Sequence, residues 1–376
     1  MPRSINARAT NMDAKQKHYN QRRTQLLTSL PDKSAVLLTK ATDIHYFFGF
    51  SEFLEPTERE SLAYFDETHA VLFIPPLTVR PELPGITIVG DSSETSILSH
   101  IKTSTIQAKV TTLFVDMRSL LASEYIALTK SYEKPIQPLD RNIIWKLRMI
   151  KDEVEIGAIQ KACEISSASY TQLLPILQVG MTELQVADAL ENLMKQADSR
   201  TPAFPTIVAF GSHTALPHYQ PGILRLQAES PILIDFGASW NGYRADMTRT
   251  IWFGKHPDPE FVEIERAVKD AYNQAVELVE RRPALLTASQ IDVVARGVIE
   301  KAGYGSQFIH TTGHGLGLDI HEPPSLNSRN QQLIEKNMVI TIEPGIYLPS
   351  KFGYRHEDTI IVGSNSTIIA TTTSFN

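Results

Sequence analysis

The sequence predicts an α/β protein with a small N-terminal α/β domain and a larger C-terminal domain built from two related halves. Three observations support this fold class. The chain has 376 residues, enough for two domains of ordinary size. Short β-like runs alternate with helical stretches in its first part. A long helix followed by a capped shorter helix occurs twice in its second part.

The first domain is predicted from short apolar runs that are separated by polar and helical segments. These runs are AVLLT (35–39), HAVLFIPP (69–76), ITIVG (86–90) and TLFVD (112–116). Their length and composition are typical of strands. The loop-like QPLDRN then precedes a charged helical stretch near Trp145. We therefore predict a linker at roughly 138–150 and domains at 1–145 and 146–376.

The second domain contains a repeat of pattern rather than of residue identity. Thr182 and Gln185 have capping-box spacing at the start of one short helix, and Thr287 and Gln290 have the same spacing at the start of another. Each copy then runs into β-like segments. The pattern predicts two pseudo-symmetric halves with a cleft between them, and the alternative is a coincidence of two helix pairs.

Composition and charge favour a small substrate over a nucleic acid or membrane partner. The net charge is −6, so the chain has no general attraction for phosphate backbones or anionic lipids. The single cysteine, Cys163, cannot form an internal disulfide. The N-terminal segment lacks the apolar stretch of a signal peptide, and no run has the length of a membrane helix. These features predict a cytoplasmic protein.

Two aspartates lie in a predicted β-hairpin. Asp235 ends one β-like run, Asp246 precedes another, and Asn241-Gly242 is a turn signal between them. The spacing allows both carboxylates to lie opposite each other across the ladder, where unscreened like charges are costly. A cation would remove that cost. For either aspartate alone, a satisfied structural group is the alternative.

Three histidines, His310, His314 and His321, lie close together in FIHTTGHGLGLDIHEPP. Imidazole is the commonest metal ligand in proteins. The glycines and prolines among them allow sharp turns and close backbone approach. A solvated polar loop is the alternative, but it does not explain the apolar residues that alternate with the histidines.

Two glutamates lie among residues that resemble a core. Glu343 ends an apolar run just before Pro344-Gly345, and Glu357 precedes the run DTIIVG. Burying an unpaired carboxylate costs on the order of several kcal/mol of folding free energy. Each of these glutamates therefore needs a partner. For Glu357 that partner is either a cation in a metal site or Arg355 in a salt bridge.

Together these residues predict a centre with two divalent cations. The proposed ligands are Asp235, Asp246, His314, Glu343 and Glu357. Four carboxylates and one neutral imidazole carry a charge of about −4, which favours two cations over one. Oxygen-rich ligands favour Mn²⁺ or Co²⁺, without excluding Zn²⁺ or Fe²⁺. Such a pair activates water and polarises a carbonyl, which suits amide hydrolysis.

The same segments resemble the pita-bread metallopeptidases, specifically the Xaa-Pro branch that contains prolidase and aminopeptidase P. The motifs that carry the resemblance are IDFGA, NGYRADMTRT, HTTGHGLGLDIHE, TIEPGIY and GYRHED. YNQRRTQLL and DIHYFFGF resemble the creatinase-type N-terminal domain of that family more weakly. The resemblance implies a creatinase-type domain followed by a pseudo-two-fold pita-bread catalytic domain, a small peptide substrate and a homodimer.

The resemblance also implies a role for each predicted metal ligand. Asp235 would hold one ion, while Asp246 and Glu357 would bridge both ions. His314 and Glu343 would complete the site of the second ion. Glu343 would in addition shuttle the proton during hydrolysis.

Four further residues receive substrate roles from the resemblance. His218 would lie near the scissile amide nitrogen, although an exposed loop histidine is the alternative from its sequence alone. His321 would help to hold the developing oxyanion. His310 and Arg355 would line the pocket around the substrate proline.

The leading functional prediction is an Xaa-Pro dipeptidase, and the main alternative is an aminopeptidase P that acts on longer peptides. Arg329 precedes Glu343 in a segment where some prolidases supply an arginine to the terminal carboxylate of the substrate. An exposed loop arginine is its alternative, and RRTQLL resembles aminopeptidase P. His213 differs from the usual family residue, which leaves substrate preference open, including a non-proline amide. The complete ligand set argues against a binding module without activity.

Overall fold

The computed structural model describes residues 3–52, 61–281, 285–363 and 367–371, with side chains described from Gln16 onward. The chain divides into two compact units, Met1–Leu147 and Arg148–Asn376. Within the described ranges, no helix has both the length and the apolar character needed to span a membrane.

In its described residues, the first unit contains a mixed six-stranded sheet and helices. The strands are β1 Ser34–Leu38, β2 Leu62–Phe65, β3 Ala70–Phe73, β4 Thr87–Val89, β5 Thr112–Val115 and β6 Ile136–Pro138. The helices are α1 Arg3–Thr28, α2 Ala41–Phe48, α3 Glu94–Gln107, α4 Ala122–Ser131 and α5 Arg141–Met149, which ends just inside the second unit. The sheet order is β4-β3-β2-β1-β5-β6. The four strands predicted from apolar runs are confirmed, while β2 and β6 are additional.

Helix α5 occupies most of the segment predicted as a linker. Asp140 accepts a hydrogen bond from the backbone N–H of Asn142 at 3.0 Å, and its carbonyl accepts one from Ile143. An aspartate in this position satisfies the free N–H groups at a helix start. QPLDRN therefore links the end of β6 to the start of α5, and the prediction that it forms a loop holds only for Leu139 and Asp140.

The second unit contains four helices and twelve strands in the part of the chain that the structure describes. The helices are α6 Glu153–Leu173, α7 Glu183–Gln196, α8 Pro259–Arg281 and α9 Ala288–Lys301. The strands of its first half are β7 Ile207–Phe210, β8 Ser230–Phe236, β9 Ser239–Trp240, β10 Tyr243–Arg244 and β11 Met247–Phe253. Those of its second half are β12 Gly313–Gly315, β13 Glu322–Leu326, β14 Val339–Ile342, β15 Gly345–Leu348, β16 Phe352–Arg355, β17 Asp358–Ile361 and β18 Ile368–Ile369.

Each half packs a helix pair against one sheet. The core of the first half joins α6 and α7 to the sheet β11-β8-β7, and that of the second half joins α8 and α9 to the sheet β13-β12-β14-β17-β18. The side chains of Gln185 and Gln290 accept the backbone N–H of Thr182 and Thr287, both at 2.9 Å. This confirms the repeated helix starts. The sheets meet at a bridge between Thr248 and Glu357.

A buried ionic cluster supports the segment that follows His321. The Glu322 carboxylate accepts hydrogen bonds from Arg148 and, at 3.2 Å, from Lys151, and all three side chains are 1% exposed. Burial alone would raise the pKa of Glu322, but the two cations outweigh it and hold the pKa below its usual value. The cluster therefore ties the start of the second unit to β13.

We expect Glu322→Gln to lower the free energy of unfolding by about 3–5 kcal/mol, because it removes the carboxylate that two buried cations share. The matched control is Glu164→Gln, which breaks an exposed pair with Lys161 and should cost less than about 1 kcal/mol. Urea denaturation at several pH values measures both. The ionised Glu322 stabilises the fold above the usual glutamate pKa, so the difference from wild type should shrink as pH falls through its lowered pKa. Equal losses in both variants would contradict this assignment.

Candidate metal centre

Asp235 and Asp246 lie on one hairpin but are not directly opposite each other. Asp235 in β8 pairs with Thr248 in β11. The Ala245 N–H donates to the Ala238 carbonyl at 3.0 Å, which continues the same register towards the turn at Asn241. The prediction of facing carboxylates was therefore wrong by two residues. Because side chains alternate along a strand, the two aspartates lie on the same face as diagonal neighbours.

The His314 strand reaches the site because glycines flank it. A Cβ on Gly313 would lie 2.0 Å from the carbonyl oxygen of Thr341, and one on Gly315 would lie 2.2 Å from that of Pro323. No side chain fits at either position. The His314 Nδ1 lies 3.0 Å from the Gly315 carbonyl, which favours a proton on Nδ1 and leaves Nε2 free to bind a cation.

Glu343 and Glu357 meet at one end of a strand pair. Glu343 directly follows β14, Glu357 directly precedes β17, and Ile342 pairs with Asp358 in the ladder between them. The Thr248 hydroxyl donates to Glu357 at 2.6 Å. The second half therefore brings both glutamates to the edge of the first half's hairpin.

These strands assemble a compact cluster of possible metal ligands. Ligand atoms of Asp246, His314 and Glu357 all lie within 4.8 Å of one another. The His314 Nε2 is 3.6 Å from an oxygen of Asp246 and 3.4 Å from one of Glu343. Asp235 joins the same cavity wall.

The electrostatics of this cluster fit a cation. Burial, followed by repulsion from Glu357 and other neighbouring carboxylates, raises the pKa of Asp246 well above its usual value. Burial likewise raises the pKa of Glu357, and it raises that of Glu343 to about 7. One carboxylate oxygen of Asp235 is buried and has no hydrogen-bond partner among the residues that the structure describes. Divalent cations would relieve the repulsion and satisfy the free oxygen.

Arg355 contacts a different carboxylate from the one considered in the sequence. Its guanidinium donates to Asp235 at 2.5 Å, while Glu357 is held by Thr248. The alternative of an Arg355–Glu357 salt bridge is therefore not what the structure shows. Arg355 also donates to the Tyr347 hydroxyl at 2.9 Å, and that hydroxyl lies 2.9 Å from His310 Nε2.

Tyr347 was missed as a site residue, although it lies in the quoted motif TIEPGIY. Gly345 pairs with Arg355 in the ladder of β15 and β16, and Tyr347 is two residues further along β15. The alternation of strand side chains therefore puts Tyr347 on the same face as the Arg355 side chain. Only the strand register, which the sequence does not give, would have identified it.

A cavity of about 610 Å³ opens onto the cluster. Its walls include all five predicted metal ligands and the four residues assigned to substrate by resemblance: His218, His310, His321 and Arg355. The His314 and His321 rings pack edge to face with centroids 4.5 Å apart. Arg329 is exposed and is not among the lining residues, so the structure does not bring it to the other predicted site residues.

Residues 157–364 match the sequence profile described as metallopeptidase family M24. The chain belongs to this family. An M24 metallopeptidase is a hydrolase that uses divalent metal ions, and the cluster around His314 is its candidate metal site. The family assignment confirms the resemblance seen in the sequence.

Relatives of this M24 chain extend over most of its length. It is 34% identical to an Xaa-Pro dipeptidase of Pyrococcus furiosus over 335 residues, which are 88% of this chain and 91% of the relative. An Xaa-Pro dipeptidase structure from Bacillus anthracis matches with 28% identity and a TM-score of 0.85, covering 95% of this chain and 99% of the other. An X-Pro aminopeptidase structure from Thermotoga maritima matches with 30% identity and a TM-score of 0.81, covering 90% and 94%. These matches confirm the predicted fold class.

Proposed function

We propose that this M24 metallopeptidase is an Xaa-Pro dipeptidase, which hydrolyses the bond before proline in dipeptides. The observation that carries the proposal is one cavity that unites a buried carboxylate and imidazole cluster with three further histidines and Arg355. The Pyrococcus furiosus and Bacillus anthracis proteins named Xaa-Pro dipeptidase support the substrate class.

The metal site in this proposal holds two divalent ions, with Mn²⁺ or Co²⁺ favoured and Zn²⁺ or Fe²⁺ as alternatives. Asp235 would hold one ion, Asp246 and Glu357 would be shared by both ions, and His314 with Glu343 would complete the site of the second. The oxygen-rich cluster and the unpartnered oxygen of Asp235 support this arrangement. When bound, such a pair supplies an activated water and polarises the substrate carbonyl.

The protein's own side chains then bind substrate and move protons. Glu343 would accept a proton from the attacking water and return it to the leaving nitrogen when the amide C–N bond breaks, and His218 would lie near that nitrogen. His321 donates to the carbonyl oxygen as negative charge develops there. Since His218 and His321 are exposed on the cavity wall, both rings are accessible to a peptide.

The proline ring of the substrate is proposed to lie against His310 and Arg355. Burial lowers the pKa of His310 to about 3, so its ring is neutral and suits an apolar partner. Tyr347 holds both side chains in place through the two hydrogen bonds at 2.9 Å.

A direct test compares an Xaa-Pro dipeptide, an Xaa-Pro-Xaa tripeptide and an Xaa-Ala dipeptide with enzyme loaded with Mn²⁺ or Co²⁺. The proposal expects the highest kcat/KM for Xaa-Pro and loss of activity with a chelator. The Thermotoga maritima aminopeptidase match supports the alternative of an aminopeptidase P. A preference for the tripeptide would favour that alternative and reject the dipeptidase.

Arg329 itself does not line the cavity, but it lies four residues after Ser325, which does, and we propose that it reaches the terminal carboxylate of a bound dipeptide. Such a charge-assisted contact is worth about 1.5–3 kcal/mol, so Arg329→Ala should reduce kcat/KM for Xaa-Pro about ten- to a hundredfold. The tripeptide, whose carboxylate lies one residue further out, should be nearly unaffected. Arg266→Ala is the control, since Arg266 is a solvent-facing arginine of α8 with an 85% exposed side chain. Equal losses for both substrates would make Arg329 a structural residue.

The assembly and location of the protein are part of the same proposal. We propose a cytoplasmic homodimer with no nucleic acid or membrane partner, and with a creatinase-like domain ending near residue 145. The family resemblance and the net charge of −6 support these points. Light scattering of the purified protein tests the dimer, and a monomer mass would reject it.

A further inference from the structure

One loop brings His218 to the cavity. This His218 loop, residues 211–222, starts with the 3-10 helix Gly211–Ala215 and continues without regular structure. Pro217 and His218 contribute to the cavity wall. The position of His218 therefore depends on contacts that hold an irregular segment.

Glu183, the first residue of α7, supplies many of those contacts. One of its carboxylate oxygens accepts hydrogen bonds from the Phe210 N–H and from His213 Nδ1, both at 2.9 Å. The other accepts the Tyr219 hydroxyl at 2.8 Å and the Gly222 N–H at 3.0 Å. These four donors lie just before the loop, within it and at its end.

The carboxylate is fully buried, with 0% of Glu183 exposed. Among the residues that the structure describes, Glu183 pairs with His213, and no lysine or arginine nitrogen lies within 4.0 Å of its carboxylate. Four donors and the positive end of the α7 dipole offset its burial. A glutamine cannot replace it, because the amide nitrogen would face donors on one side of the group.

The second half indicates that α7 does not need this carboxylate in order to start. Thr287 begins α9 as Thr182 begins α7, and the residue after Thr287 is the fully buried Ala288. A helix start of the same type therefore forms with an alanine in the corresponding position. The carboxylate of Glu183 serves the loop.

The opposite side of the loop contacts the substrate pocket. The Gly353 N–H donates to the Thr214 hydroxyl at 2.9 Å, and an Arg355 nitrogen lies 3.5 Å from the Pro217 carbonyl. The loop thus lies between Glu183 and residues assigned to the substrate proline. A shift at Glu183 would be transmitted to His218.

We propose that Glu183 is a positioning residue that sets the place of His218 in the cavity through the His218 loop. The inference rests on the proposed function to the extent that His218 acts on the substrate. Glu183 lies outside the cavity wall, but it would affect turnover by keeping His218 in place. Displacement of a reacting group by about 1 Å can lower the rate a hundredfold.

The test is a double-mutant cycle on the metal-loaded enzyme with Glu183→Gln and His218→Ala, using whichever peptide the wild type cleaves best. We expect Glu183→Gln to lower kcat/KM about ten- to a hundredfold with its metal content unchanged. In the His218→Ala background the same substitution should cost less than about threefold, because its effect passes through His218. The proposal would be overturned if the losses of kcat/KM from the two substitutions multiplied in the double variant. It would also be overturned if Glu183→Gln left kcat/KM unchanged.

A second set of variants keeps the test decisive if Glu183→Gln does not fold. Tyr219→Phe and His213→Ala each remove one donor to Glu183, and each should lose its effect in the His218→Ala background. The control is Ser199→Ala, which removes a buried hydroxyl bonded to residues 201 and 239 and should combine independently with His218→Ala. If the wild type prefers tripeptides, the dipeptidase proposal is rejected but the double-mutant cycle remains a valid test of Glu183. If His218→Ala has wild-type activity, both the substrate role of His218 and the positioning role of Glu183 are rejected.

Discussion

Glu343→Gln is expected to lower kcat by about 10²–10⁴ while the protein keeps its fold, because general acid–base catalysis contributes rate factors of this size. The amide has the shape of the carboxylate but cannot take up and release the proton. Glu343 lies 3.4 Å from His314 Nε2 and 3.9 Å from His310 Nδ1, so its carboxyl faces the cavity rather than the core.

Steady-state kinetics and circular dichroism together separate catalysis from folding for this variant. The matched comparison is Glu322→Gln, which also neutralises a buried glutamate. Its main effect should be a loss of folding stability rather than a loss of kcat. Elemental analysis should accompany both, since Glu343 is also a proposed ligand. Near-normal turnover by Glu343→Gln would reject its assignment as the proton shuttle.

Asp246→Ala and Glu357→Ala are each expected to remove both metal ions, because each carboxylate is proposed to bridge the pair. Their oxygens and a ring nitrogen of His314 form one group of atoms that all lie within 4.8 Å of one another. Loss of a bridging ligand exposes two cations to each other's charge, whereas loss of a ligand to one ion leaves the other site intact. Activity should fall to the level of chelator-treated wild type.

Elemental analysis of purified, dialysed protein measures this result directly. Asp235→Ala is the control, since Asp235 is proposed to hold one ion and its variant should retain the other. Two ions per chain in Asp246→Ala or Glu357→Ala would contradict the bridging roles. Circular dichroism should show that all three variants are folded.

The sequence predicted five candidate ligands that the structure places on the wall of one cavity, because each is a carboxylate or imidazole among apolar strand residues, which is visible locally. It did not predict the register of the hairpin, so Asp235 and Asp246 were set opposite each other instead of diagonally. Register depends on where the turn closes and on packing by the other half. The same limit concealed Tyr347, whose role follows from pairing between β15 and β16.

Other features depend on contacts between segments distant in the chain. Glu183 looks like an acidic residue at a helix start, which the helix dipole alone would explain. Its four bonds to a segment up to 39 residues away appear only in three dimensions. Strand β6 was missed because its three residues end in Pro138, too short a run to show strand alternation.

The candidate metal cluster draws ligands from both halves of the second unit: Asp246 from the first, and His314 and Glu357 from the second. During synthesis on the ribosome, a chain that has folded only its first half therefore lacks most of the centre. Glu357 is the last of these ligands to be translated. The complete candidate centre can therefore assemble only after translation has passed Glu357 and the strands on either side of that residue have folded.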